Sequence, residues 1–352
     1  MPDALYKGPS NKMTSSQPDV PVVKDRPSNA KLSFRPSDVL VFIDERNVSD
    51  AGIQHAQNVA QALGGSVELL QVLCEPSNGD GPIDPVGWDI KKQQALNRLN
   101  SLSATSGGGE TPCRVRLLEG KCSSQIESFL DRRTEDIAAS MRSRSEGGWH
   151  LSETAWAVLM SKSAAVLMIP EDTTDVSHTH YRRILVPLDG SPRAEMALPM
   201  AIKIAQADRA ELILCYVAPD PGLAGIAGDS HEAAHLHAQV RDLHIKAAKT
   251  YLERIKKRVG HNGLETLVNI SDSGDARRSL IDIMSRDKID FVVMATHGHS
   301  GHSDVPTGDV ARFVLEKANI PVLLVRSRNG HLGNHTFARA SSKGVRKPAG
   351  ND

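Results

Sequence analysis

At 352 residues the chain exceeds what one hydrophobic core ordinarily serves, and its 42 Lys plus Arg against 42 Asp plus Glu remove any global charge that would recruit nucleic acid or a membrane. No window approaches the ~18 consecutive apolar residues of a spanning helix, and the polar, proline-bearing start lacks a signal peptide's apolar stretch, so a cytoplasmic protein is expected. Cys74, Cys113, Cys122 and Cys215 show no Cys-x-x-Cys spacing, and Cys74 and Cys215 fall in apolar runs, which predicts buried free thiols.

Residues 1–36 mix Ser, Pro, Asn, Lys and Asp without a sustained apolar period and read as a disordered tail. Strands of the first half are predicted at 39–44, 67–73, 114–118 and 165–170, with a polar linker at 171–181. The second half predicts strands at 184–188, 212–217, 267–270, 291–294 and 321–325. Ser191 reads as an N-cap with Pro192 at the first helical position, and Met196, Met200 and Ile204 recur every fourth residue after it. A long amphipathic helix is predicted over 231–259, its stripe formed by Leu236, Val240, Leu243, Ala247, Leu252, Ile255 and Val259. Residues 327–352 read as a second disordered tail. Its Arg339, Lys343, Arg346 and Lys347 suit a solvated end better than a nucleic-acid site.

Alternating strands and helices, with strands apolar on both faces, predict an α/β fold with a parallel sheet covered on both sides. The two halves repeat one order at an interval of roughly 145 residues, too long for a solenoid unit. Two doubly wound, Rossmann-like domains in tandem are therefore expected, at 37–170 and 182–326.

In such sheets ligands bind beyond the carboxyl ends of the strands, where the strand order reverses. Two segments of the second half fall there. One is Asp189-Gly190-Ser191, a carboxylate followed by a flexible turn into a helix. The other runs from Ala295 through Thr296, His297, Gly298, His299, Ser300 and Gly301 to Gly308, Asp309 and Val310, which open the next helix. Glycines there let backbone N–H groups approach phosphate oxygens, and a helix start adds partial positive charge.

This segment resembles the universal stress protein family, whose nucleotide loop is written Gly-x2-Gly-x9-Gly-Ser/Thr. Here the four positions are Ala295, Gly298, Gly308 and Asp309, and the flanking 291–297 and 310–326 are similar to the family as well. The resemblance implies an adenine nucleotide such as ATP, with Pro187, Leu188, Asp189 and Val217 toward the base and ribose. Gly298, His299, Ser300 and Gly308 are then expected to line the phosphates, with Met294, Ala295, Thr296, His297, Gly301, Asp309 and Val310 also in the nucleotide site. It also implies that the last strands pair, 166–169 against 322–325, in an intramolecular pseudo-dimer or in a homodimer.

The sequence departs from the family's loop in two places. Ala295 adds a methyl that matters only if the residue needs a positive φ. Asp309 sets an anion where an anion is to be received, unless Mg²⁺ or Mn²⁺ lies between them. In the first half, Asp44 keeps its place, but 141–148 replaces the glycine-punctuated turn, so that half is expected to have lost its ligand, although Arg142 and Arg144 could reach an anion. His231, His235, His237 and His244, and the pair His178 and His180, read as exposed or linker residues rather than metal ligands. No nucleophile elbow, Walker loop or metalloprotease motif occurs, which supports at most slow ATP hydrolysis. Three readings stay open: an ATP-responsive stress-response regulator acting on a protein partner, a ligand-free interaction module, and a nucleotide hydrolase in which Asp189 or Asp309 holds a metal.

Overall fold

Eleven short apolar runs become strands of one sheet in the computed structural model, which describes residues 37–44, 49–74, 84–105, 113–145, 148–172, 180–220, 231–261, 263–298 and 307–326. All of these lie in one unit, 36–352. The two expected tails, His178, His299, Ser300, Gly301 and His302 fall outside the described residues.

The first half contributes β1 (Val39–Ile43), α1 (Asp50–Leu63), β2 (Val67–Leu73), α2 (Pro85–Thr105), β3 (Arg114–Glu119), α3 (Cys122–Leu130), β4 (Ile137–Ser145), β5 (Gly148–His150), α4 (Glu153–Met160) and β6 (Ala165–Pro170). The second contributes β7 (Arg183–Pro187), α5 (Pro192–Glu195), α6 (Leu198–Asp208), β8 (Glu211–Pro219), α7 (His231–Gly260), β9 (Thr266–Gly274), α8 (Ala276–Arg286), β10 (Phe291–Ala295), α9 (Asp309–Lys317) and β11 (Val322–Val325).

The sheet order is β3-β2-β1-β4-β6-β11-β10-β7-β8-β9, with the short β5 paired to β4. Each half repeats the same parallel order outward from the middle, and β6 and β11 meet antiparallel at the centre. Their register sets Ala165 to Met168 against Val325 to Val322, one residue earlier on the first strand than 166–169. Every residue of β6 and β11 is buried, because helices cover both faces there and the partner half covers the edge. The outermost strands, β3 and β9, are half-exposed.

Several local expectations are corrected. Ser191 does cap a helix, accepting from Ala194 N at 3.1 Å, but the helix breaks at Met196 and Ala197 and restarts as α6. Pro199 explains the break: it has no N–H to continue the ladder, and its ring would strike the carbonyl four residues back. The stripe of α7 is buried only toward its end, at Ala248, Leu252, Ile255 and Val259. Ala247 is exposed, and so are Leu236 and Leu243, at 49% and 63%.

In the first half the segment that replaces the glycine-punctuated turn is strand. Met141 to Ser145 extend β4, and β5 folds back on it as a hairpin. Arg142 reaches no anion. Its side chain is fully buried and donates to the carbonyls of Leu315, Ala318 (3.2 Å) and Ile320 (3.0 Å) at the end of α9, in the other half. The Trp149 ring lies 5.0 Å from its guanidinium, and Trp149 Nε1 donates to Asn319 Oδ1 at 3.3 Å. The last carbonyls of a helix lack intrahelical donors, and a cation there also meets the negative end of the helix dipole. Arg326 answers from the second half by donating to Leu159 O near the end of α4. Arg144 pairs with Asp172 at 3.9 Å.

A further contact ties the halves together. Tyr181, at the end of the linker, is 2% exposed and stacks on Phe291 at 4.1 Å and on His55 of α1 at 5.6 Å. Asp208 accepts from Tyr181 N and from Asn58 Nδ2, both at 2.8 Å, and His180 Nδ1 lies 2.9 Å from the same carboxylate.

Candidate functional site

The order of the second half reverses between β7 and β10, since β8 lies on one side of β7 and β11 on the far side of β10. Beyond their carboxyl ends lies a cavity of about 470 Å³, within the range of small-molecule sites. It is lined by Pro187, Leu188, Asp189 and Val217, by Met294 through Gly298, and by Gly308, Asp309 and Val310, which are all the expected site residues that are described.

Each wall follows from local rules. Leu188 N donates to Cys215 O at 2.7 Å, which carries the pairing of β7 and β8 one step past the strand and delivers Asp189 at its tip. Gly190 then turns with φ +81, a conformation costly for side chains, and Ser191 N donates to Asp189 Oδ1 at 2.9 Å. Ala295 sits in the β10–β11 ladder opposite Val325, and among the described non-glycine residues only Arg209 and Lys288 have positive φ. Alanine therefore replaces the family's first glycine without backbone strain.

Gly298 and Gly308 are needed for proximity. A Cβ on Gly298 would overlap Asp189 Oδ2, and one on Gly308 would stand 3.1 Å from Thr296 O. Gly308 N donates to Thr296 O at 2.7 Å, pinning the start of α9 against the end of β10. Gly308 is the N-cap of α9 and brings no side-chain cap, so the amides of Asp309, Val310 and Ala311 begin the helix without intrahelical acceptors, and all three residues line the cavity. Thr307 Oγ1 is buried with no hydrogen-bond partner among the described residues.

The electrostatics correct one expectation. Asp309 is not uncompensated: Arg277 Nη1 lies 3.3 Å from its Oδ2 and Arg312 Nη2 lies 3.5 Å from its Oδ1. Both Asp309 oxygens thus face guanidinium groups at the exposed start of the helix. Among the described residues no group of three or more His, Cys, Asp or Glu is placed to hold a metal.

The inner end of the cavity is apolar, formed by Cys215, Leu280 and Met294, each no more than 5% exposed. Burial pushes the Cys215 thiol up to about 12, so it is neutral there. Sequence reasoning missed Cys215, Ala276, Leu280, Thr307 and the two arginines. Of these Ala276 had a local signal in the Gly274 turn that opens α8, and Arg312 had one in its place three residues after Asp309 on one helix.

In the first half the corresponding place is closed. Thr154, in the first turn of α4, donates directly to Asp44 Oδ1, and Cys122 Sγ lies 3.4 Å from the same hydroxyl. The helix start thus rests on the carboxylate that in the second half faces a cavity. Cys74 is exposed, contrary to expectation, whereas Cys113, Cys122 and Cys215 are buried.

The fold and crevice define a doubly wound α/β protein with an open helix start at a strand-order reversal in its second half. Residues 180–326 match the family model of the universal stress protein family. A universal stress protein of Methanocaldococcus jannaschii is 28% identical over 160 residues, 42% of this chain and 97% of that protein. A universal stress protein of Mycolicibacterium smegmatis is 22% identical over 297 residues, 82% of this chain and 97% of its own. The crystal structure of a universal stress protein from Archaeoglobus fulgidus superposes with a TM-score of 0.58 at 16% identity, covering 83% of this chain and 97% of that one. The last two matches span both halves, consistent with a tandem arrangement. Among the described residues no helix is long and apolar enough to cross a membrane.

Proposed function

We propose that the chain is a cytoplasmic tandem universal stress protein whose second half, 182–326, binds an adenine nucleotide, ATP foremost. The first half, 37–170, acts as its ligand-free partner. One observation carries the reading: Gly298, Gly308 and the uncapped start of α9 converge with Asp189 on one cavity at the β7–β10 reversal. The apolar inner end suits a base, Asp189 suits ribose hydroxyls, and the α9 amides suit phosphate oxygens.

The ligand-free alternative rested partly on the charge of Asp309, and the pairing with Arg277 and Arg312 weakens that objection. The same two arginines offer cationic contact to a phosphate chain. Any Mg²⁺ or Mn²⁺ would then come with the phosphates rather than through Asp309. Binding without turnover fits the residues best, with the signal passed to a protein partner.

Titration calorimetry of the full chain with ATP tests this. One site per chain is expected, and heat-silent injections at high concentration would end the reading.

A further inference from the structure

In the second half, Gly274 turns the chain from β9 into α8 with φ +80, and Ala276, the first residue of that helix, lines the ligand cavity. The first half repeats the device. Gly120 turns from β3 into α3 with φ +128, and the first helical residue is Cys122. Opposite it, the last residue of β2, Leu73, is paired with Glu119 and accepts from Gly120 N at 3.1 Å. Cys74 therefore leaves β2 beside the very turn that delivers Cys122, although 48 positions separate them in the sequence.

We propose that Cys74 and Cys122 are a reversible dithiol–disulfide site, built where the first half has lost its ligand crevice. Their exposures divide the roles. Cys74 is exposed and meets the oxidant, and Cys122, buried 3.4 Å from Thr154 Oγ1, resolves it. Burial, with a smaller contribution from the neighbouring Cys74 thiol, pushes the Cys122 thiol up to about 11, so Cys122 is protonated when Cys74 meets the oxidant.

The oxidant class is a hydroperoxide. The Cys74 thiolate attacks one peroxide oxygen, the O–O bond breaks, and hydroxide leaves and takes up a proton as water, giving a sulfenic acid. Cys122 sulfur then attacks Cys74 sulfur: the S–S bond forms, the S–O bond breaks, and the departing hydroxide takes the Cys122 proton as a second water. The two sulfurs lose two electrons and the peroxide gains them. A small dithiol reverses the step by exchange. The inference is independent of the nucleotide reading, because neither cysteine lines the second-half cavity.

The test treats the reduced full chain with hydrogen peroxide, blocks remaining thiols with an alkylating reagent, and maps non-reduced peptides by mass spectrometry. A peptide pair linked through Cys74 and Cys122 is expected, lost on treatment with dithiothreitol, while Cys113 and Cys215 carry the alkyl group. In Cys122→Ser, Cys74 should stop at the sulfenic acid and give roughly tenfold more dimedone adduct than the parent chain. A parent chain in which Cys74 proceeds to sulfinic or sulfonic acid while Cys122 is alkylated would overturn the assignment. That peptide map decides the matter even if the variant does not fold.

Discussion

Arg277 Nη1 stands 3.3 Å from Asp309 Oδ2, across 32 residues of sequence, and neutralises the one acidic side chain at the start of α9. Arg277 also contacts Asp275 Oδ1 at 3.3 Å, so its guanidinium is shared between two carboxylates at the cavity's rim. Removing the Asp309 charge should release Arg277 and Arg312 toward phosphate. Asp309→Asn is expected to tighten ATP binding by roughly three- to tenfold, the scale of one charge in screened surroundings. Chelation of divalent ions should leave that comparison unchanged. Calorimetric Kd values for both chains, with and without EDTA, check it, and weaker binding by the variant would point to a metal at Asp309 instead.

The closeness of Gly298 to Asp189 gives a second prediction. A methyl at residue 298 must displace the Asp189 carboxylate or the turn itself. Gly298→Ala should lower nucleotide affinity by at least about tenfold while moving the thermal midpoint little, because the turn lies at the sheet's rim rather than in the core. Binding and melting curves measured on the same preparation separate the two effects.

Arg142 makes a structural claim testable without any ligand. Its three carbonyl acceptors lie in the other half, and they would be left buried and unpaired by an apolar replacement. Arg142→Met, close in volume, should cost about 3 kcal/mol in urea unfolding. Arg144→Met, at a largely exposed side chain, should cost under about 0.5 kcal/mol.

His55 predicts a pH dependence. Burial pulls its pKa from 6.5 down to about 4, and in the fold it stacks on Tyr181 with Nδ1 3.0 Å from the Tyr181 hydroxyl. The unfolded chain therefore takes up the proton first as pH falls. The stability this group contributes is complete above about pH 6.5 and lost progressively toward pH 4, by up to about 3 kcal/mol. Glu68 and Asp38, held below the usual carboxylate range despite burial by bonds to Arg116 and Arg133 and to Ser66 and Arg114, act lower down. Urea midpoints between pH 7 and 4.5 should fall for the parent chain and flatten for His55→Gln.

Much of this was legible because it is local. The apolar runs, the Ser191–Pro192 helix start and the repeated order place the strands, and the glycine spacing at Gly298 and Gly308 places the crevice. What escaped is of two kinds. Pro199 and the segment 141–148 carried conflicting local signals: a four-residue apolar spacing outweighed the proline, and the Gly147–Gly148 pair hid a hairpin. The rest depends on distance in space. Nothing near Asp309 reveals Arg277, nothing near Arg142 reveals the carbonyls of α9, and the stripe of α7 does not show where the sheet beneath it ends.

A crystal structure of the full chain grown with saturating ATP tests the central claim most directly. One nucleotide is predicted per chain, its phosphates against Gly298, Gly308 and the first amides of α9, with Asp44 still bonded to Thr154 in the first half. A second-half cavity holding solvent alone, or a nucleotide seated against Asp44, would contradict the account.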